Sequence, residues 1–173
     1  YPSDRMVVVP NGIDTDLFTP DLLAHQQQRS AWGIDKGVNL VGIVGRLDPM
    51  KDHRTFLRAV SKVLAKRKDV TFVCVGNGTN EYRVDLQKYS EELGILKNIR
   101  WEPGQENIEN VYNALDLLVS TSAFGEGFSN TLAEAMACGV RCVATDVGDA
   151  RGILSNTGIV VPPGDSSAVA DGI

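Results

Sequence analysis

Short apolar runs alternate along this chain with longer stretches whose apolar residues recur every three or four positions. The runs Met6–Val9, Leu40–Val44, Val70–Val75, Asn98–Trp101, Leu115–Ser120, Arg141–Thr145 and Gly158–Val161 are rich in Val, Ile and Leu. They lack strict in–out alternation, which is the mark of parallel strands buried on both faces. Between them, His53–Lys68 gathers Phe56, Leu57, Val60, Val63 and Leu64 on one helical face, and Asn80–Leu93 does the same with Tyr82, Leu86, Tyr89 and Leu93. Sustained strand–helix alternation predicts an α/β fold: a Rossmann-like, three-layer sandwich with a mostly parallel sheet and helices on both sides. The cap-like Asp165 ahead of Ser166–Ile173 predicts a helix start of under two turns. Both ends of the sequence read as cut, as though one domain had been taken from something larger. No internal repeat or low-complexity tract interrupts the pattern.

Composition narrows the function classes. At 173 residues, 43% of them hydrophobic, the chain has the size of one ordinary soluble domain and can form a core without disulfides or metals. Three cysteines and two histidines are too few for a disulfide framework or a zinc knuckle, and the odd cysteine count fits a reducing, cytoplasmic compartment. No apolar run approaches the ~18 residues of a membrane span, and the opening residues do not read as a signal peptide. A net charge of −5 argues against a nucleic-acid partner. The charge is also uneven. Residues 116–173 carry Asp116, Glu126, Glu134, Asp146, Asp149, Asp165 and Asp171 against only Arg141 and Arg151. A bound anion therefore needs cations from earlier in the chain, or backbone amides.

Ligands of such sheets bind at the carboxyl ends of the strands, so the loops there are the place to look. The dinucleotide fingerprint is not satisfied: its nearest match, Gly76-Asn77-Gly78-Thr79-Asn80-Glu81, ends in glutamate, and no P-loop occurs. The loop Gly45-Arg46-Leu47-Asp48-Pro49-Met50-Lys51 carries two cations that could converge on one diphosphate, an arginine fork and a compact lysine charge. A solvated loop neutralised by Asp48 and Asp52 is the competing reading. A second loop, Gly125-Glu126-Gly127-Phe128-Ser129-Asn130-Thr131, leads into Leu132–Cys138, where Glu134 is the lone polar residue. A carboxylate in so apolar a helix requires hydrogen-bond donors, which vicinal ribose hydroxyls would supply. The amides that open the helix would attract phosphate. Thr131-x-x-Glu134 reads equally well as a capping box that needs no ligand.

These segments resemble the large family of retaining, nucleotide-sugar-dependent glycosyltransferases of GT-B fold (group 1, or family four), in its C-terminal half. The resemblance rests on Val8–Pro20 (VVPNGIDTDLFTP), Val41–Asp52 (VGIVGRLDPMKD), Phe72–Gly78 (FVCVGNG), Glu126–Gly139 (EGFSNTLAEAMACG) and Gly158–Asp165 (GIVVPPGD). Glu126 and Glu134 have the family's E-x7-E spacing. The resemblance implies that residues 1–173 form a single donor-binding domain, one half of a GT-B fold. Residues 1–20 would lead in from an absent N-terminal acceptor domain, and final C-terminal helices would also be missing. It implies transfer of a sugar from a UDP- or GDP-linked donor with retention of configuration, in polysaccharide or glycolipid assembly, with no metal or other cofactor. Membrane association would come only through the missing half, at the inner membrane face.

Position by position, Arg46 and Lys51 match the pair that holds the donor diphosphate and stabilises the leaving nucleotide, beside Gly45. Glu126 matches the carboxylate facing the transferred sugar, and Glu134 the one on the ribose hydroxyls. The backbone of Gly127, Phe128, Ser129, Asn130 and Thr131 matches contacts to sugar hydroxyls and phosphate. Trp101, with Glu102, falls where the family's main chain meets the base. Arg46, Lys51 and Glu126 are thus the implied catalytic residues, and the fragment alone is expected to be inactive. His25 and His53 match no catalytic position and are expected at the surface. Arg141 stands where proline is usual and Gly152 where a glutamate is common. A non-catalytic nucleotide- or sugar-binding regulatory module and a GT-B nucleotide-sugar epimerase are the alternative functions.

Overall fold

In a computed structural model that describes residue 7 and residues 9–173, six strands form one parallel sheet. The elements in chain order are α1 (Leu22–Ala31), β1 (Asn39–Val44), α2 (His53–Lys66), β2 (Val70–Val75), α3 (Asn80–Glu92), β3 (Ile99–Glu102), α4 (Ile108–Ala114), β4 (Leu117–Ser120), α5 (Asn130–Ala137), β5 (Arg141–Thr145), α6 (Ala150–Leu154), β6 (Ile159–Val161) and α7 (Ser166–Gly172). The sheet order is β3-β2-β1-β4-β5-β6, and every pairing is parallel. Of the expected strand at Met6–Val9, Met6 and Val8 lie outside the described residues, while Val7 and Val9 are exposed and irregular. Among the described residues the sheet begins with β1.

Each central strand is buried on both sides, which explains why the sequence shows no alternation. In β2, Phe72 and Cys74 face one core layer with Phe56, Leu57 and Val60 of α2, Leu86 of α3 and Val169 of α7. Val73 and Val75 face the other with Tyr112 of α4, Leu132 and Ala135 of α5, and Leu154 of α6. Helices on both faces of the sheet make the three layers. The terminal segment forms a helix of seven residues, because the Asp165 carboxylate accepts from the amides of Ser167 and Ala168 and α7 buries Val169 against this core.

Candidate functional site

The strand order runs outward from β1 to β3, then returns to the other side of β1 with β4. Loops leaving β1 and β4 therefore diverge over the sheet's carboxyl edge and open a crevice between them. Hydrogen bonds tie the two loops together at its floor. The Ala123 amide donates to the Met50 carbonyl at 2.8 Å. The Thr121 hydroxyl lies 2.9 Å from the Lys51 carbonyl and 3.0 Å from that of Asp52. Next to them the β1 and β2 loops touch so closely that a Cβ on Gly76 would sit 1.8 Å from the Gly45 carbonyl oxygen.

Both cations of the first loop stand at this crevice. Lys51 ends a short 3-10 turn, Pro49–Lys51, and its stem runs across Gly45, where a Cβ would meet Lys51 Cε at 3.5 Å. Its ammonium pairs with Glu126 Oε1, and the Ser122 hydroxyl donates to the same oxygen at 2.6 Å. The side chains are only 17% and 10% exposed, so each charge depends on the other. Arg46 is exposed and makes no hydrogen bond or ion pair among the described residues. Burial alone would raise the Glu126 carboxyl. The hydrogen bonds from Lys51 and Ser122, with the charges of Lys51 and Arg46, outweigh it and hold the group below its ordinary 4.5.

Asp48 and Asp52, which could have neutralised the two cations, are occupied elsewhere. Asp48 accepts from the Met50 amide at 2.8 Å and caps the 3-10 turn. Asp52, held at φ 43°, caps α2 by accepting from the Thr55 amide at 3.1 Å and the Thr55 hydroxyl at 2.5 Å. Neither carboxylate appears in an ion pair among the described residues. Neutralisation of the two cations by Asp48 and Asp52 is therefore not what forms, although Arg46 itself stays exposed.

Glu126 is positioned by its own loop and by the loop after β5. The Asp149 amide donates to the Gly127 carbonyl at 3.0 Å. Gly148, at φ +58°, fits beneath with a would-be Cβ 2.4 Å from Gly127 O and 2.6 Å from Glu126 O. Beyond this clamp, Ser129 caps α5 with no side-chain hydrogen bond, leaving first-turn amides for other partners. Asn130 starts the helix and accepts from Asn11 of the leading segment at 3.0 Å. That start places Thr131 inside the first turn and Glu134 beyond it, so the capping box does not form. Glu134 instead accepts from the buried Tyr112 hydroxyl at 2.6 Å.

Trp101 sits two strands out from β1, while the carbonyl of the adjoining Glu102 accepts from the Gly76 amide at 3.1 Å, next to Gly45. The tryptophan lies on β3, the sheet's edge strand, with β2 between it and β1, and its ring joins the core while its indole N–H is buried without a partner. Phe128 is half-buried and Gly127 exposed at the rim. The histidines differ from expectation. His53 is 1% exposed, packed edge-on to Tyr82 at 6.5 Å, because it opens the buried face of α2. His25 is half-buried, with Nδ1 2.8 Å from the Asn113 carbonyl. All three cysteines are free and buried. Burial pushes the thiols of Cys138 and Cys142 up to about 11 and about 12 and raises Cys74 as well, so they are packing groups.

The sequence pattern missed Ser122 and Tyr112. Ser122 was legible in principle, four residues before a loop carboxylate. The Tyr112 contact spans separate helices and has no local signal. Among the described residues no group of three His, Cys, Asp or Glu side chains could hold a metal ion, and no helix is long and apolar enough to cross a membrane. Cavities of about 730 Å³ beside α1 and about 840 Å³ near Arg141 and Gly158 lie at the amino ends of the strands. The first is lined by the Arg29–Asp116 ion pair, closed at 2.8 Å, with Asp35 and Lys36 beside it.

The sequence model described as "Glycosyl transferases group 1" matches residues 38–173. The chain is 33% identical to a D-inositol 3-phosphate glycosyltransferase of Mycolicibacterium smegmatis, over 97% of this chain and 37% of that protein. It is 31% identical to the lipopolysaccharide core biosynthesis mannosyltransferase LpsB of Rhizobium meliloti, over 95% of this chain and 48% of that one. The chain thus spans less than half the length of these curated relatives. Among solved structures it resembles Alr3699/HepE of Anabaena in complex with UDP and glucose (TM-score 0.85, 26% identity, 93% of this chain and 44% of that one). It also resembles the C-terminal domain of a group 1 glycosyl transferase, LpcC, of Francisella tularensis (TM-score 0.79, 31% identity, 92% and 85%).

Proposed function

This chain belongs to the group 1 glycosyl transferases, and we propose that it is the nucleotide-sugar-binding half of an enzyme that transfers a sugar to an acceptor with retention of configuration. The observation that carries this reading is the placement of Arg46 and Lys51 at the switch-point crevice with their neighbouring aspartates committed to capping. Arg46, without a described partner, and Lys51, paired with Glu126 rather than with either aspartate, suit a diphosphate. The UDP complex of the HepE relative supports a nucleotide donor, with UDP- and GDP-linked sugars as the classes to test.

Cleaving the bond between sugar and diphosphate builds negative charge on the departing phosphate and positive charge on the sugar ring. Cations held in place beforehand stabilise that state more than the ground state. Lys51 is held by Glu126 and Gly45, and Arg46 extends from the same loop. Glu126, kept ionised by Lys51, Ser122 and Arg46, is acceptor-only. It orients sugar hydroxyls and opposes charge developing on the ring. First-turn amides of α5 serve sugar hydroxyls or phosphate, and Glu134 serves the ribose. The acceptor site belongs to the rest of the enzyme, and this half alone is inactive. Assembly of glycolipid or polysaccharide, as the LpsB relative's name describes for that protein, is the process proposed.

The test is a turnover assay of the whole enzyme with a panel of UDP-, GDP- and ADP-sugars. Replacing Arg46 or Lys51 by Ala is expected to lower turnover by about a hundredfold or more. Wild-type turnover in both variants would overturn the assignment.

A further inference from the structure

Tyr112 has no part in the proposed chemistry, yet it makes the one hydrogen bond described to the Glu134 carboxylate. Its side chain is 1% exposed, and its hydroxyl donates to Glu134 Oε2 at 2.6 Å across 22 residues of chain. A phenol buried among apolar side chains needs a partner for its O–H. Burial, the Glu134 hydrogen bond and the Glu134 charge raise its pKa far above 10, so it remains a donor at any physiological pH. Phe18 backs the ring at 6.0 Å. The adjoining Asn113 ties α4 to the leading segment, accepting from the Asp21 amide at 2.7 Å and donating to the Thr19 carbonyl at 3.1 Å. The hydroxyl is therefore fixed from behind.

A carboxylate has two oxygens and about four acceptor sites. Tyr112 occupies one site on Oε2, and among the described residues no donor meets Oε1. We infer that Tyr112 is a positioning residue for nucleotide recognition: it locks the rotation of the Glu134 carboxylate so that Oε1 is set to accept the vicinal hydroxyls of the ribose. This rests on reading Glu134 as the ribose carboxylate. Through Phe18 and Asn113, the positioning also ties the ribose site to the segment that precedes α1.

The experiment is an NMR-detected titration of wild-type protein and Tyr112→Phe with UDP, GDP, their 2′-deoxy counterparts and inorganic pyrophosphate. The wild type is expected to bind the ribonucleotide about tenfold more tightly than the deoxynucleotide, the ratio a charge-assisted hydrogen bond of ordinary strength gives. Tyr112→Phe should erase most of that preference while leaving pyrophosphate affinity unchanged. In the wild type, the Tyr112 hydroxyl proton should shift on adding ribonucleotide and not on adding pyrophosphate, a readout that does not depend on the variant's folding. A variant that keeps the wild-type preference, equal losses for every ligand, or no differential proton shift would overturn the positioning role while leaving the Glu134 reading intact. A wild type with no preference for ribose, or with no nucleotide binding, would overturn the Glu134 reading and this inference with it.

Discussion

Lys51 and Glu126, 75 residues apart in sequence, meet as an ion pair across the gap between the β1 and β4 loops. Each is mostly withdrawn from water, so removing one leaves a poorly solvated charge. Glu126→Ala and Lys51→Ala should each destabilise the domain by about 1–3 kcal/mol. The double variant should cost less than the sum of the two, because neither charge is then stranded. Urea unfolding of the four proteins completes the cycle, and additive losses would show the pair to be uncoupled.

Arg46 separates function from stability. Exposed and without a described partner, it can be truncated with a change within about 0.5 kcal/mol in unfolding free energy. Nucleoside diphosphate affinity in the same variant should fall by about tenfold or more. Calorimetric titration beside a melting curve checks both halves, and a large loss of stability would assign Arg46 to the fold instead.

His53 predicts a pH window. Desolvation by burial, with the Lys51 charge second, lowers its pKa from 6.5 to about 4. Between those values the unfolded chain binds a proton that the folded domain refuses. Stability is therefore full above 6.5 and drains as pH falls toward 4, by about 3 kcal/mol in total. Glu126, held below 4.5, adds a loss in the same direction at lower pH. Urea midpoints measured from pH 7.5 to 4 should fall in the wild type and much less in His53→Leu. Parallel curves would place the titration elsewhere.

Two glycines make a matched contrast. A methyl group at Gly148 would clash with the carbonyls of Gly127 and Glu126 at a positive φ, whereas one at Gly152, inside α6, meets nothing within 4 Å. Gly148→Ala should cost about 3 kcal/mol or more and weaken nucleotide binding by disturbing the Glu126 loop. Gly152→Ala should stabilise the domain by up to about 1 kcal/mol. Thermal melting of both variants reads the difference, and equal effects would contradict the clamp.

Much of this was legible because buried parallel strands leave unbroken apolar runs. β2 and β5 fall on their expected limits, and β1, β3, β4 and β6 within two residues of theirs. α2 and α3 stop two residues and one residue short of expectation. In α2, Arg67 turns to extended backbone after Lys66. α1, α4 and α6 carry no readable period: α1 buries only Ala24, and α4 and α6 span seven and five residues, too short to show one. The loop cations were visible, but the commitments of Asp48 and Asp52 were not, although Asp48-Pro49 is a cap followed by proline. His53 was misjudged because its burial depends on the turn that Asp52 makes. Contacts between separate elements, such as Tyr112 with Glu134, leave no trace in a linear pattern.

The most direct test of the central claim is a crystal structure of this domain with a nucleoside diphosphate bound. The diphosphate should lie in the crevice between β1 and β4, touched by the Arg46 guanidinium and the Lys51 ammonium, with the ribose on Glu134. A diphosphate bound at another edge of the sheet, with Arg46 and Lys51 still in solvent and on Glu126, would contradict it.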